Sequence, residues 1–111
     1  MAERINTYRD FWPYYLREHA KPATRAVHLF GTALASVCLI AGLATGRWGL
    51  ILLALFAGYG PAWFGHFFLE KNRPATFTYP LWSLFSDFRM ALTWLIGRLD
   101  RELAKAGVPQ R

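Results

Sequence analysis

The sequence predicts an all-α integral membrane protein: a helical hairpin of two spans, flanked by an interfacial N-terminal helix and an interfacial or re-entrant C-terminal helix. Three observations lead there. Of 111 residues, 54% are hydrophobic and only 18% are charged, whereas about a quarter is usual in soluble domains. Two long runs, Val27–Ala44 and Trp48–Leu69, contain no Asp, Glu, Lys or Arg. Only Thr45, Gly46 and Arg47 separate them. The length allows one domain, 1–111. Five Trp and an aromatic share of 17% exclude a disordered chain. The single cysteine, Cys38, excludes a disulfide framework or a CxxC site. The net charge of +6 suits an acidic partner, and the apolar runs assign that partner to the membrane surface rather than to nucleic acid.

Taken in order, Asp10 is expected to cap a helix over about 11–20, with Pro13 tolerated in its first turn. The residues Phe11, Trp12, Tyr14, Tyr15 and Leu16 suit the headgroup level of a bilayer. Pro22 ends that segment and fits the first turn of the next helix. The spans, about 27–44 and 48–69, hold eighteen and twenty-two residues. At roughly 1.5 Å per residue each can cross a hydrocarbon core of roughly 30 Å. A run that begins at Val27, behind a segment containing proline and acids, does not fit a signal peptide. Gly31 and Ala35 are spaced for close packing, as are Ala57, Pro61 and Gly65 on the facing run. Gly58, Gly60 and Pro61 are expected to interrupt the second span, and broken helices at membrane depth line cavities. Asn72-Arg73-Pro74 breaks the chain, and Pro80 starts a helix over about 81–101. Its Asp87 and Arg89, followed by Arg98, Arg101 and Lys105, argue against a full crossing. Arg4, Arg9, Arg17, Lys21 and Arg25 precede the hairpin, Lys71 and Arg73 follow it, and only Arg47 occupies its loop. The positive-inside rule then places both termini in the cytoplasm.

Hairpin geometry brings histidines together. His28 lies eighteen residues before Gly46 and His66 twenty residues after it, so antiparallel helices carry both to one depth. His19 precedes the turn that enters the same edge. Glu70 follows His66 by four residues and shares its helical face. Imidazole and carboxylate suit zinc or non-haem iron, and a set with open positions suits iron(II). The competing reading makes each histidine a hydrogen-bonded anchor and pairs Glu70 with Lys71 or Arg73. Asp87 is a candidate to hydrogen-bond a metal-bound histidine from behind. The basic rim of Lys21, Arg25, Lys71 and Arg73 either pairs with a substrate carboxylate or sets topology and touches anionic lipid.

The stretches FWPYYLREHAKPATRAVHLFGT and GYGPAWFGHFFLEKNRPATFTYPLWSLFSDFRM resemble the membrane 2-hydroxy fatty acid dioxygenase family. The resemblance runs from about Tyr8 to Leu99. It is carried by the H-x8-H pair (His19, His28) and the G-H-x3-E-x3-P-A run (Gly65, His66, Glu70, Pro74, Ala75). It implies an iron(II)-dependent oxidoreductase that uses dioxygen to shorten 2-hydroxy fatty acids by one carbon. It makes His19, His28 and His66 the candidate iron ligands. Two other readings stand beside it: a non-catalytic hairpin that binds lipid or a partner protein, and a haem protein with two histidine ligands.

Overall fold

The computed structural model describes residues 4–108. Five α-helices follow in order: α1 (Tyr8–Arg17), α2 (Pro22–Thr45), α3 (Trp48–Phe64), α4 (Pro80–Leu95) and α5 (Leu99–Lys105). A π-helical turn, Gly65–Glu70, continues α3, and a short 3-10 turn, Ala75–Phe77, precedes α4. The described residues contain no strand. The chain divides into two compact units. Lys21–Pro74 forms one, and the segments up to Ala20 and from Ala75 onward form the other.

The first unit is the predicted hairpin. Pro22 occupies the first turn of α2, where its missing N–H is no loss. Gly46 ends the helix in the left-handed conformation (φ 70°), which a residue without a Cβ adopts readily. Two stretches, Pro22–Thr45 and Trp48–Glu70, are long and apolar enough to cross a membrane. Only 28% and 22% of their most apolar windows are buried, which sets them apart from core helices of a soluble protein. Phe30, Ile40 and Phe56 are each more than 60% exposed. The chain is therefore an integral membrane protein by its helices.

The helices meet through small residues. A Cβ on Gly31 would lie 3.0 Å from the Ala57 carbonyl oxygen, 3.1 Å from Pro61 Cβ and 3.2 Å from the Gly58 carbonyl oxygen. A Cβ on Gly58 would meet Ala35 at 3.3 Å. The expected interruption at Gly58, Gly60 and Pro61 does not occur: α3 runs through all three to Phe64. Pro61 removes one donor and frees the Ala57 carbonyl, but the bare backbone of Gly31 gives that carbonyl room. The irregularity falls later, in the π-helical turn that carries His66.

The second unit packs α1 against α4 and α5. Asp10 is not the cap of α1. Thr7 is: its hydroxyl accepts from the Asp10 backbone N–H at 3.3 Å, and the helix starts at Tyr8. Asp10 instead sits in the first turn, where an acid complements the helix dipole. The helix ends at Arg17, leaving His19 just beyond it. Phe11, Tyr15 and Leu16 are fully buried with Met90 and Leu103. The Trp12 indole donates to Glu102 at 3.0 Å, and the Arg89 guanidinium lies 4.0 Å over the Trp12 ring. The expected helix 81–101 is divided: α4 ends at Leu95 and α5 starts at Leu99. Gly97, with φ 76°, turns the chain between them.

Polarity in α4 is inverted relative to a helix on a soluble core. Ser83, Ser86 and Met90 are buried, while Leu81, Phe85, Leu92 and Leu95 are each at least 60% exposed. This is the pattern expected of a helix that meets lipid rather than water.

Candidate metal centre

In the hairpin unit, His28 and His66 face each other. Their ring centroids are 5.9 Å apart and the rings stand edge to face at 80°. Both are buried, at 4% and 2% exposure. Equal heights counted from Gly46 predict this pair, and the structure contains it.

His66 is fixed by local backbone. After the π-helical turn, Lys71 adopts the left-handed conformation (φ 63°), an uncommon choice for a residue with a side chain. The Asn72 N–H then donates to the His66 carbonyl at 2.8 Å. The Asn72 side-chain oxygen comes to 2.7 Å from His66 Nδ1. An amide oxygen only accepts, so Nδ1 is the donor in this contact, and in the neutral imidazole that leaves the lone pair on Nε2. Asn72 has no signal in the sequence beyond its place in the chain-breaking Asn72-Arg73-Pro74.

Glu70 does not act through its spacing from His66 alone. Its Oε2 accepts from the Lys21 backbone N–H at 2.8 Å, so it closes the start of α2 onto the end of the π-helical turn. The Lys21 ammonium donates to the Leu69 carbonyl at 2.8 Å, completing a two-point clamp at the hairpin base. Of the other basic-rim residues, Lys71 and Arg73 are exposed and Arg25 is half-buried.

In the other unit, His19 is buried at 1% exposure. Its Nδ1 lies 2.7 Å from the Tyr15 carbonyl, one helical turn back. A carbonyl only accepts, so Nδ1 carries a proton here, and in the neutral imidazole Nε2 is then the lone-pair nitrogen. The Tyr15 ring covers His19 with centroids 4.3 Å apart. Its phenol donates to Asp87 Oδ1 at 2.7 Å. Burial, and then the negative charge and hydrogen bond of Asp87, push the Tyr15 phenol well above the ordinary tyrosine range. The phenol therefore stays neutral and donating. Asp87 thus reaches His19 through Tyr15, a residue sequence reasoning read only as an interfacial aromatic. Its signal was the i, i+4 spacing from His19.

His28 and His66 in the hairpin unit, and His19 in the other, are buried imidazoles, each able to offer a ring nitrogen to a metal ion. Neutral nitrogen donors suit zinc, copper or iron, and two of the three already have the tautomer a ligand needs. A cavity of about 400 Å³ lined by Arg4, Ile5, Tyr79 and Trp82 contains no histidine or carboxylate and lies apart from this chemistry.

Among known families, the one described as 2-hydroxy-palmitic acid dioxygenase Mpo1-like matches residues 5–99. No curated protein and no solved structure matches the chain.

Proposed function

Because the chain belongs to the Mpo1-like 2-hydroxy-palmitic acid dioxygenase family, we propose that it is a membrane iron(II) enzyme that oxidises 2-hydroxy fatty acids to acids one carbon shorter. Family and donor set together support a non-haem iron oxidoreductase. The observation that carries the proposal is the buried His28–His66 pair at the base of the hairpin.

The reaction closes without an external reductant. A 2-hydroxy acid and one dioxygen give the shortened acid, carbon dioxide and water. The C1–C2 bond breaks, and four electrons pass from those two carbons to dioxygen. Bound iron(II) would supply oxygen activation and a Lewis-acid anchor for the substrate's hydroxyl and carboxylate.

The protein's own residues bind and orient. His19, His28 and His66 are the proposed ligands. Only Ala20 separates His19 from Lys21, which Glu70 holds, so two peptide units of roughly 3.8 Å each tether His19 to the hairpin. Asn72 and the Tyr15 carbonyl fix two imidazoles in the ligating tautomer. Asp87 steadies Tyr15. Three protein ligands would hold the metal and leave room beside it for the substrate. The acyl chain would lie along the exposed apolar faces of the hairpin. Arg25, Lys71 and Arg73 are the proposed cations that attract a carboxylate, while the Lys21 ammonium closes the clamp.

Detergent-purified protein loaded anaerobically with iron should bind one equivalent. On admission of oxygen it should turn 2-hydroxyhexadecanoate into pentadecanoate. A Soret band, or protein without iron or turnover, would overturn the assignment. Glu70→Gln should keep its iron within about twofold. The amide oxygen can still accept from Lys21, and hydrogen bonds of this exposed kind contribute about 1 kcal/mol. Loss of iron in that variant, measured by metal analysis, would return Glu70 to the ligand set.

The proposed orientation has both termini in the cytoplasm. A Thr45→Cys, Cys38→Ser protein tests it, since Gly46 itself is needed for its left-handed turn. An impermeant maleimide should label position 45 only from the side opposite the cytoplasm. Labelling from the cytoplasmic side would invert the topology.

A further inference from the structure

We infer that the Thr24 hydroxyl is a substrate-binding donor, placed to hold the carboxylate of the 2-hydroxy acid; this rests on the functional reading above. Thr24 is 0% exposed, and its Oγ1 has no hydrogen-bond partner among the described residues. A buried hydroxyl left without a partner is costly. A valine would fill the same space at no such cost. The fold makes no use of the oxygen.

Position explains why. Three helical hydroxyls bond back to the carbonyl four residues earlier: Ser36 to Thr32 at 2.8 Å, Thr45 to Ala41 at 2.6 Å and Thr93 to Arg89 at 2.6 Å. Thr24 is the third residue of α2. The carbonyl four before it belongs to Ala20, which lies ahead of the helix cap Lys21. Nor is Thr24 the cap, so its hydroxyl has no first-turn amide to accept from.

The hydroxyl sits beside the proposed centre within one unit. Thr24 lies one turn before His28 on the same helical face. Its Cγ2 would be 3.3 Å from a Cβ on Gly65, the residue that precedes His66. Oγ1 is the other branch at the same carbon. The group it awaits is an acceptor, and the amide dipoles of the first turn of α2 favour an anionic one. A carboxylate oxygen meets both conditions. An alcohol meets only the first.

The test compares wild type, Thr24→Ser and Thr24→Val as full chains in detergent, loaded anaerobically with iron(II). The probes are 2-hydroxyhexadecanoate and 1,2-hexadecanediol, which lacks the carboxylate. All three proteins should hold equal iron. Without ligand, Thr24→Val should melt at or above the wild-type temperature, because the unpartnered hydroxyl is gone. Its dissociation constant for the hydroxy acid should rise about tenfold, as expected for loss of a hydrogen bond to a charged group. Its affinity for the diol should not change, and Thr24→Ser should recover most of the affinity for the acid. Equal affinity of Thr24→Val and wild type for the acid would overturn the assignment, as would equal losses for acid and diol. Both results leave the iron reading standing. Wild type that takes up no iron would overturn both.

Discussion

Purified His66→Ala protein should bind iron at least 100-fold more weakly than wild type, while reaching the membrane in normal amount. An open site with three protein ligands has no spare donor, so removing one leaves two. Insertion should survive because the span Trp48–Glu70 keeps its apolar length. His28→Ala and His19→Ala should behave alike. The supporting shell should give a graded effect. Asn72→Ala removes the acceptor at 2.7 Å from His66 Nδ1 and should weaken metal by about 10–100-fold, as loss of such partners usually does. Metal analysis on protein matched for membrane yield reads all four. Full iron in any one histidine variant would remove that residue from the site.

Gly31→Leu should be the most damaging change outside the histidines. The atoms nearest a new Cβ include two backbone carbonyl oxygens, at 3.0 and 3.2 Å, and the ring of Pro61. Carbonyls on a helix cannot swing aside as a long side chain can. The two spans must separate, at a cost of about 3 kcal/mol, the upper end for overpacking. Gly31 lies one turn from His28, so separation also pulls His28 from His66 and iron affinity should fall with stability. Gly60→Ala is the control. Nothing lies within 4 Å of its added methyl, and alanine is the better helix former by about 1 kcal/mol. Thermal unfolding in detergent should show opposite shifts for the two variants. A Gly31→Leu protein as stable as wild type would mean that the helices do not cross there.

The residues that sequence reasoning placed correctly are those governed by local or periodic rules. Pro22 and Pro80 start helices because a missing donor is no loss in the first turn, whereas Pro13, expected in the first turn of α1, lies in its interior because that helix starts at Tyr8. Gly46 turns the chain through its left-handed conformation, and counting from it pairs His28 with His66. The misplaced features depend on neighbours distant in sequence. Glycines and proline at 58–61 signal a break, yet the facing Gly31 accommodates the freed carbonyl and the helix continues. Glu70 keeps its helical spacing from His66, and what that spacing did not signal is a contact 49 residues away, at the Lys21 amide. Thr7 and Asp10 are both competent caps; the chain uses the one that starts α1 a turn earlier. The Asn72 contact to imidazole requires the folded backbone and has no pattern of its own, while Tyr15 signals only through its i, i+4 spacing from His19.

The second unit is assembled from segments that precede and follow the hairpin, and this imposes an order on synthesis. Helix α1 leaves the ribosome before the hairpin, with Phe11, Tyr15 and Leu16 awaiting partners that begin at Pro80. Between Arg17 and Pro80 lie the two spans, which must enter the bilayer meanwhile. At roughly 5–20 residues per second, that interval is on the order of 3–12 seconds. During it the aromatic face of α1 has nothing of its own chain to cover it, and the membrane surface is the nearest apolar phase. Asp87 reaches Tyr15 only after the interval closes, so the support behind His19 is among the last features to form. A nascent chain stalled in the hairpin would hold His28 and His66 already paired, with the shell around His19 still missing.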